Sequence, residues 1–138
     1  MLVFVLAFGI AVVGCDNDPS NENENGTGNG KKLTINGIGF SGNVIVILSN
    51  GGGPTDEIVA YGTASGVTNG GNVTFDLKKI DISNTQNPLT NDGWNGNGSF
   101  HIMVYNKTLQ QLIEQQPAPD KILSPTSFSG ETTTVSWQ

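Results

Sequence analysis

From Leu33 to the C-terminus the chain alternates short runs of β-branched, aliphatic and aromatic residues with clusters of Gly, Asn, Ser and Thr. That punctuation is the pattern of short strands joined by turns, and it points to an all-β sandwich or barrel. KLTIN places Leu33 and Ile35 on one face, and the unbroken apolar run Val44 to Leu48 predicts a central strand covered on both sides. EIVAYGTAS (57–65) is rich in strand-forming residues. NVTFDLK then alternates, with Val73, Phe75 and Leu77 inward and Thr74, Asp76 and Lys78 outward. Between those two, VTNGGN supplies residues that tolerate positive φ and predicts a hairpin turn. Residues 80–97 are long and polar enough to predict a surface loop or crossover. SFHIMVY predicts another strand, with Phe100, Ile102 and Val104 opposite His101, Met103 and Tyr105, and the tail TSFSGETTTVSWQ a terminal one. KTLQQLIEQQ places Leu109, Leu112 and Ile113 at helical spacing, so one short helix is expected near 107–115 before Pro117 and Pro119. The expected fold is an immunoglobulin-like or transthyretin-like antiparallel β-sandwich of about seven strands.

The segment ahead of this domain has a different character. Leu2 to Val13 is a continuous apolar run that ends in Val12-Val13-Gly14-Cys15, and Cys15 is the only cysteine. Such a run suits the core of a secretory signal and falls short of the roughly 20 residues that span a bilayer. A thiol placed directly after small or modest apolar residues is the acceptor that bacterial lipoprotein processing requires. Residues 1–14 are therefore expected to be a lipoprotein signal peptide, with Cys15 the lipid attachment site. The departure from the usual pattern is that no Lys or Arg precedes Cys15, which suggests a start codon further upstream. A single acyl chain binds a membrane only marginally, whereas the two or three of a mature lipoprotein hold it durably.

Residues 15–31 carry Asp16, Asp18, Glu22 and Glu24 among Asn and Gly, with no large apolar side chain after Cys15. Too little surface can be buried there to offset the entropy of ordering, so the stretch is expected to be a disordered acidic tether, leaving 32–138 as a single domain. The formal net charge is −6 with no arginine, which argues against nucleic acid as a partner. The lysine pairs Lys31-Lys32 and Lys78-Lys79 are expected to be solvated charges at strand edges. With one cysteine no intrachain disulfide can form, and stability must come from packing.

Three blocks, LTINGI (33–38), AYGTASGVTNGGNVTFDLK (60–78) and WNGNGSFHIMVY (94–105), occur in an order that resembles a spirochaete, treponemal-type family of small lipoproteins of uncharacterised function. The His101-Ile102-Met103-Val104 register departs slightly from that family's aromatic-x-Val-Met strand. The resemblance implies a lipoprotein with an all-β domain and carries no catalytic or ligand-binding residues.

No reaction chemistry is patterned in the chain. His101 is the only imidazole, no serine lies in a Gly-x-Ser-x-Gly context, and a lone histidine cannot build an ordinary zinc site. NDGWNGNG offers one carboxylate, Asp92, where calcium loops align several. Gly51-Gly52-Gly53 leads into an apparent strand rather than a helix, so it is a turn and not a phosphate cradle. The expectation is a protein that is not an enzyme and needs no cofactor or metal. The candidate ligand-binding residues are Trp94, Asn95 and Asn97 in the Gly-rich 94–98 stretch. An indole there could stack on a sugar ring while the amides hydrogen-bond it, or it could fold back to plug the end of the sandwich, which its burial energy favours. The expected role is an interaction module binding a protein or polysaccharide, attached through the N-terminal lipid to the cell envelope at the outer membrane. The alternative is a structural envelope protein without a dedicated ligand.

Overall fold

The computed structural model describes residues 30–51, 57–84, 86 and 88–137. The signal peptide, the Cys15 attachment site and nearly all of the tether therefore lie outside the described residues, as does most of the Gly51–Gly53 turn. The described part contains nine strands and one helix: β1 (Lys32–Asn36), β2 (Gly42–Ser49), β3 (Ile58–Val67), β4 (Val73–Asp76), β5 (Lys78–Ile80), β6 (Leu89–Gly93), β7 (Gly98–Tyr105), α1 (Leu109–Gln115), β8 (Lys121–Phe128) and β9 (Thr132–Ser136).

The strands form a three-stranded sheet in the order β9-β1-β4 and a six-stranded sheet in the order β6-β5-β3-β2-β7-β8. The architecture is an all-β sandwich, as the strand spacing predicts. Every pair is antiparallel except β9 with β1, where Thr133 lies opposite Leu33 and Val135 opposite Ile35 in parallel register. Leu33, Ile35 and Phe75 of the small sheet pack against Val44, Val46, Leu48, Ile102 and Val104 of the large one, and these form the main core. Gly62 lets the sheets close together: a Cβ there would lie 2.8 Å from Cβ of Phe75 and 3.3 Å from Val46.

β2 is central and covered on both faces, in agreement with its unbroken apolar sequence. Val44, Val46 and Leu48 enter the main core, while Ile45 and Ile47 join Ile58, Tyr61, Ile80, Met103 and Tyr105 in a second cluster on the outer face of the large sheet. α1 covers that cluster through Leu109 and Leu112. The helix begins at a Thr108 cap whose hydroxyl accepts from the Gln111 N–H, while the Gln111 side chain accepts from the Thr108 N–H, and it ends at Gln116 with φ 46°. Leu109 and Leu112 thus find an apolar surface that β2 could not have buried in the core.

Two local expectations are corrected. VTNGGN does not close a hairpin, because β3 and β4 belong to different sheets. The turn instead carries the chain across the sandwich, with Gly70 at φ 86° donating its N–H to Ile38. NVTFDLKKI likewise serves both sheets: β4 pairs with β1, then after Leu77 the chain passes to the large sheet, where Lys78 lies opposite Tyr61. Residues 80–97 are also not one loop. They turn at Asp81–Asn84 and return as β6, a polar edge strand paired with β5. Strand pairing, rather than hydrophobic alternation, places LTNDG there, so its exposed residues gave no apolar signature.

Candidate functional site

Each end of the sandwich is closed by a tryptophan seated against a glycine. Trp137 packs edge-on to Phe40, with ring centroids 4.9 Å apart, and a Cβ at Gly39 would lie 2.5 Å from its indole nitrogen. At the other end Trp94 is 7% exposed. Its indole makes edge-to-face contacts with Phe100 and Phe128, at centroid distances of 5.3 and 5.7 Å. A Cβ at Gly96 would come within 2.6 Å of the same ring, so only glycine lets the chain pass over it. Of the two roles weighed for Trp94, the geometry is that of the plug: the ring packs into the core and presents no open face for a sugar.

The main chain around Trp94 is knotted to the start of the domain by three hydrogen bonds. The Lys31 N–H donates to the Trp94 carbonyl (2.8 Å), the Leu77 N–H to the Lys31 carbonyl (2.9 Å) and the Trp94 N–H to the Leu77 carbonyl (2.9 Å). Gly30 slips between them, and a Cβ there would lie 2.7 Å from the Gly93 Cα. This clasp fixes Asn95 and Asn97 beside the point where the N-terminal segment enters the domain.

Above the clasp is an open cleft of about 690 Å³ lined by Lys31, Asn95, Asn97, Ser129, Gly130 and Glu131, together with Gly30 and Lys32. The structure therefore brings two of the three candidate residues, Asn95 and Asn97, to one cleft and places the third, Trp94, beneath it. Lys31 is the residue that sequence reasoning misassigned. It is 8% exposed rather than a solvated edge charge, and its ammonium donates to Asn97 Oδ1 at 2.5 Å. The ammonium also lies 6.0 Å from the centroid of the Trp94 ring, at the outer limit of a cation–π contact. Among the described residues Lys31 has no carboxylate partner, whereas Lys32 is ion-paired with Asp76 at the surface. The signal was present in the pattern: counting back two from Leu33 puts Lys31 on the inward face of the strand line.

The chemistry the cleft offers is hydrogen bonding around one cation. Lysine is seldom buried without a paired charge, because removing an ammonium from water is costly. Here the ammonium donates to a neutral amide oxygen, that of Asn97, and Lys31 lines the cleft. Asn95, Ser129 and Glu131 add donors and acceptors along the walls.

The other residues considered for chemistry are dispersed. His101 lies opposite Ser49 in the β7–β2 register, and its Nδ1 is buried without a hydrogen-bond partner among the described residues. The Ser49 hydroxyl is turned elsewhere and donates to the Gly51 carbonyl at 2.5 Å. Asp92 is exposed on β6, and among the described residues no group of three or more His, Cys, Asp or Glu side chains could hold a metal ion. Nor is any described helix long and apolar enough to cross a membrane. Burial raises the hydroxyl pKa of Tyr61 and Tyr105 above the ordinary value, with the Asp120 charge adding to the rise at Tyr105. At Asp81 the Ser83 hydroxyl and N–H hold the carboxyl pKa below its usual value, which is how the turn into β6 is pinned. Compared with protein-family models, curated proteins and solved structures, the chain matches none.

Proposed function

We propose that this chain is a lipid-anchored protein of the cell envelope, held at the outer membrane through acylated Cys15, and that its sandwich is a non-enzymatic interaction module. The observation that carries the binding role is the cleft that gathers Lys31, Asn95 and Asn97 at the domain's N-terminal end. It is polar, open and built on a rigid backbone clasp, the combination expected of a preorganised recognition site. The anchoring role rests on the sequence Val12-Val13-Gly14-Cys15 and on the resemblance of the three sequence blocks to treponemal-type lipoproteins. In this reading the acidic stretch between Cys15 and Gly30 separates the cleft from an anionic membrane surface, leaving it accessible to extended envelope polymers.

Two measurements test the two halves of the proposal. Metabolic labelling with a fatty acid, followed by detergent phase partitioning, should place the native chain in the detergent phase and the Cys15→Ser variant in the aqueous phase. An unlabelled native chain that stays aqueous overturns the anchor. For the module, the Asn95→Ala/Asn97→Ala variant should lose binding to purified envelope polysaccharide while keeping the wild-type far-ultraviolet circular dichroism spectrum, even though loss of the Asn97 acceptor for Lys31 lowers its unfolding temperature. Binding that survives both substitutions overturns the role of the cleft.

A further inference from the structure

We propose that the cleft takes an acidic saccharide and seats the ligand's carboxylate on the Lys31 ammonium. This deepens the interaction reading above and rests on it. Charge is unbalanced at Lys31: in a chain of net charge −6, this lysine is 8% exposed and yet has no carboxylate partner among the described residues. Lys32, the other cation on the cleft, is already committed to Asp76. An anion arriving from solution would complete the pairing that Lys31 lacks, with a charge-assisted hydrogen bond in partly desolvated surroundings.

The rest of the lining selects the body of the ligand. Asn95, Asn97 and Ser129 supply neutral donors and acceptors, and the Glu131 carboxylate accepts from hydroxyl donors, a set that complements a polyhydroxylated ring. A volume of about 690 Å³ is sufficient for a sugar unit or two. A protein partner is disfavoured by what the cleft omits. Protein interfaces concentrate energy in Trp, Tyr and Arg anchors, and here the nearest aromatic, Trp94, is buried beneath the floor. The large hydrophobic side chains exposed among the described residues, Ile82 and Ile122, line no part of the cleft. Bare phosphate fits less well, because one ammonium without a carboxylate partner gives it neither a bidentate fork nor a cluster of positive charge.

The test is titration of the full chain in detergent, followed by proton–nitrogen correlation spectra, with galacturonate, galactose and inorganic phosphate as probes. Galacturonate should shift the Asn95 and Asn97 side-chain amides and the Gly130 N–H saturably, with galactose and phosphate each at least about tenfold weaker. Lys31→Met should weaken galacturonate by about tenfold or more and leave galactose unchanged, while Lys31→Arg retains binding. Should Lys31→Met fail to fold, Asn97→Asp supplies an internal carboxylate where the Asn97 oxygen now meets Lys31, and it should abolish galacturonate binding by occupying the ammonium. Equal shifts from galactose and galacturonate, phosphate binding as tight as galacturonate, or no shift at all overturns the proposal. If galacturonate fails while Asn95→Ala/Asn97→Ala still abolishes polysaccharide binding, the ligand class falls and the interaction role stands.

Discussion

Replacing Trp94 with alanine should cost this domain a large share of its stability. An indole carries up to about 250 Å² of surface, so at 7% exposure about 230 Å² is out of water, worth roughly 6 kcal/mol as an upper bound at about 25 cal/mol per Å². Measured Trp-to-Ala truncations in cores fall at about 3–5 kcal/mol, because the surroundings relax into part of the cavity. Here relaxation is limited. Phe100 and Phe128 also pack edge-on against each other at a centroid distance of 6.1 Å, and their rings would lose contacts worth about 0.5–1.5 kcal/mol per pair. An expected loss of about 4 kcal/mol compares with a total of about 5–15 kcal/mol for an ordinary domain. Urea unfolding followed by far-ultraviolet circular dichroism should show the midpoint falling sharply with the slope unchanged. A loss under about 1 kcal/mol would refute the plug and restore Trp94 as a candidate for stacking on a ligand. Trp94→Ala is therefore a poor probe of binding, since it removes a core side chain adjoining the cleft residue Asn95 and disturbs the cleft along with any contact.

Gly62→Ala should destabilise despite alanine's better strand behaviour: relief of backbone entropy contributes about 0.5–1 kcal/mol, but crowding against Phe75 at 2.8 Å costs about 1–3 kcal/mol. Since the clash is with a Cβ that every residue except glycine carries, adding Phe75→Leu should not restore the thermal midpoint. Tyr61 and Tyr105 keep their protons in the fold beyond the ordinary value of 10.0, so the unfolded chain ionises first and stability should fall as the pH rises through about 10. The Tyr61→Phe/Tyr105→Phe variant should show a shallower alkaline decline in unfolding free energy, and an unchanged slope contradicts the assignment. Thr108→Ala breaks the capping box at the start of α1 and should cost about 0.5–2 kcal/mol locally. Hydrogen exchange should quicken at Leu112 and Gln116, whose N–H groups bond within the helix and its cap, while β2 stays protected.

Alternation along the chain was enough to establish the fold class, the two-sided burial of β2 and the short helix, because these follow from local periodicity and from the choice between apolar and polar side chains. Val44 to Leu48 could not be solvated on either face, and KTLQQLIEQQ has one apolar stripe ahead of Pro117. The anchor reading also belongs to the sequence, since it depends on which residues precede Cys15. Only the tertiary structure decided which strands share a sheet. It turned the VTNGGN turn into a crossing, divided NVTFDLKKI between two sheets and paired polar LTNDG as β6, all through backbone hydrogen bonds to partners that side-chain patterns do not specify. The cleft is of the same kind. Asn97 was visible as a candidate, but its meeting with Lys31 joins residues 66 positions apart, and burial of that lysine arises because the clasp of Lys31, Leu77 and Trp94 draws its backbone into the end of the sandwich. Local periodicity reports which face a side chain takes; the cost and the use of a buried charge depend on what long-range packing places beside it.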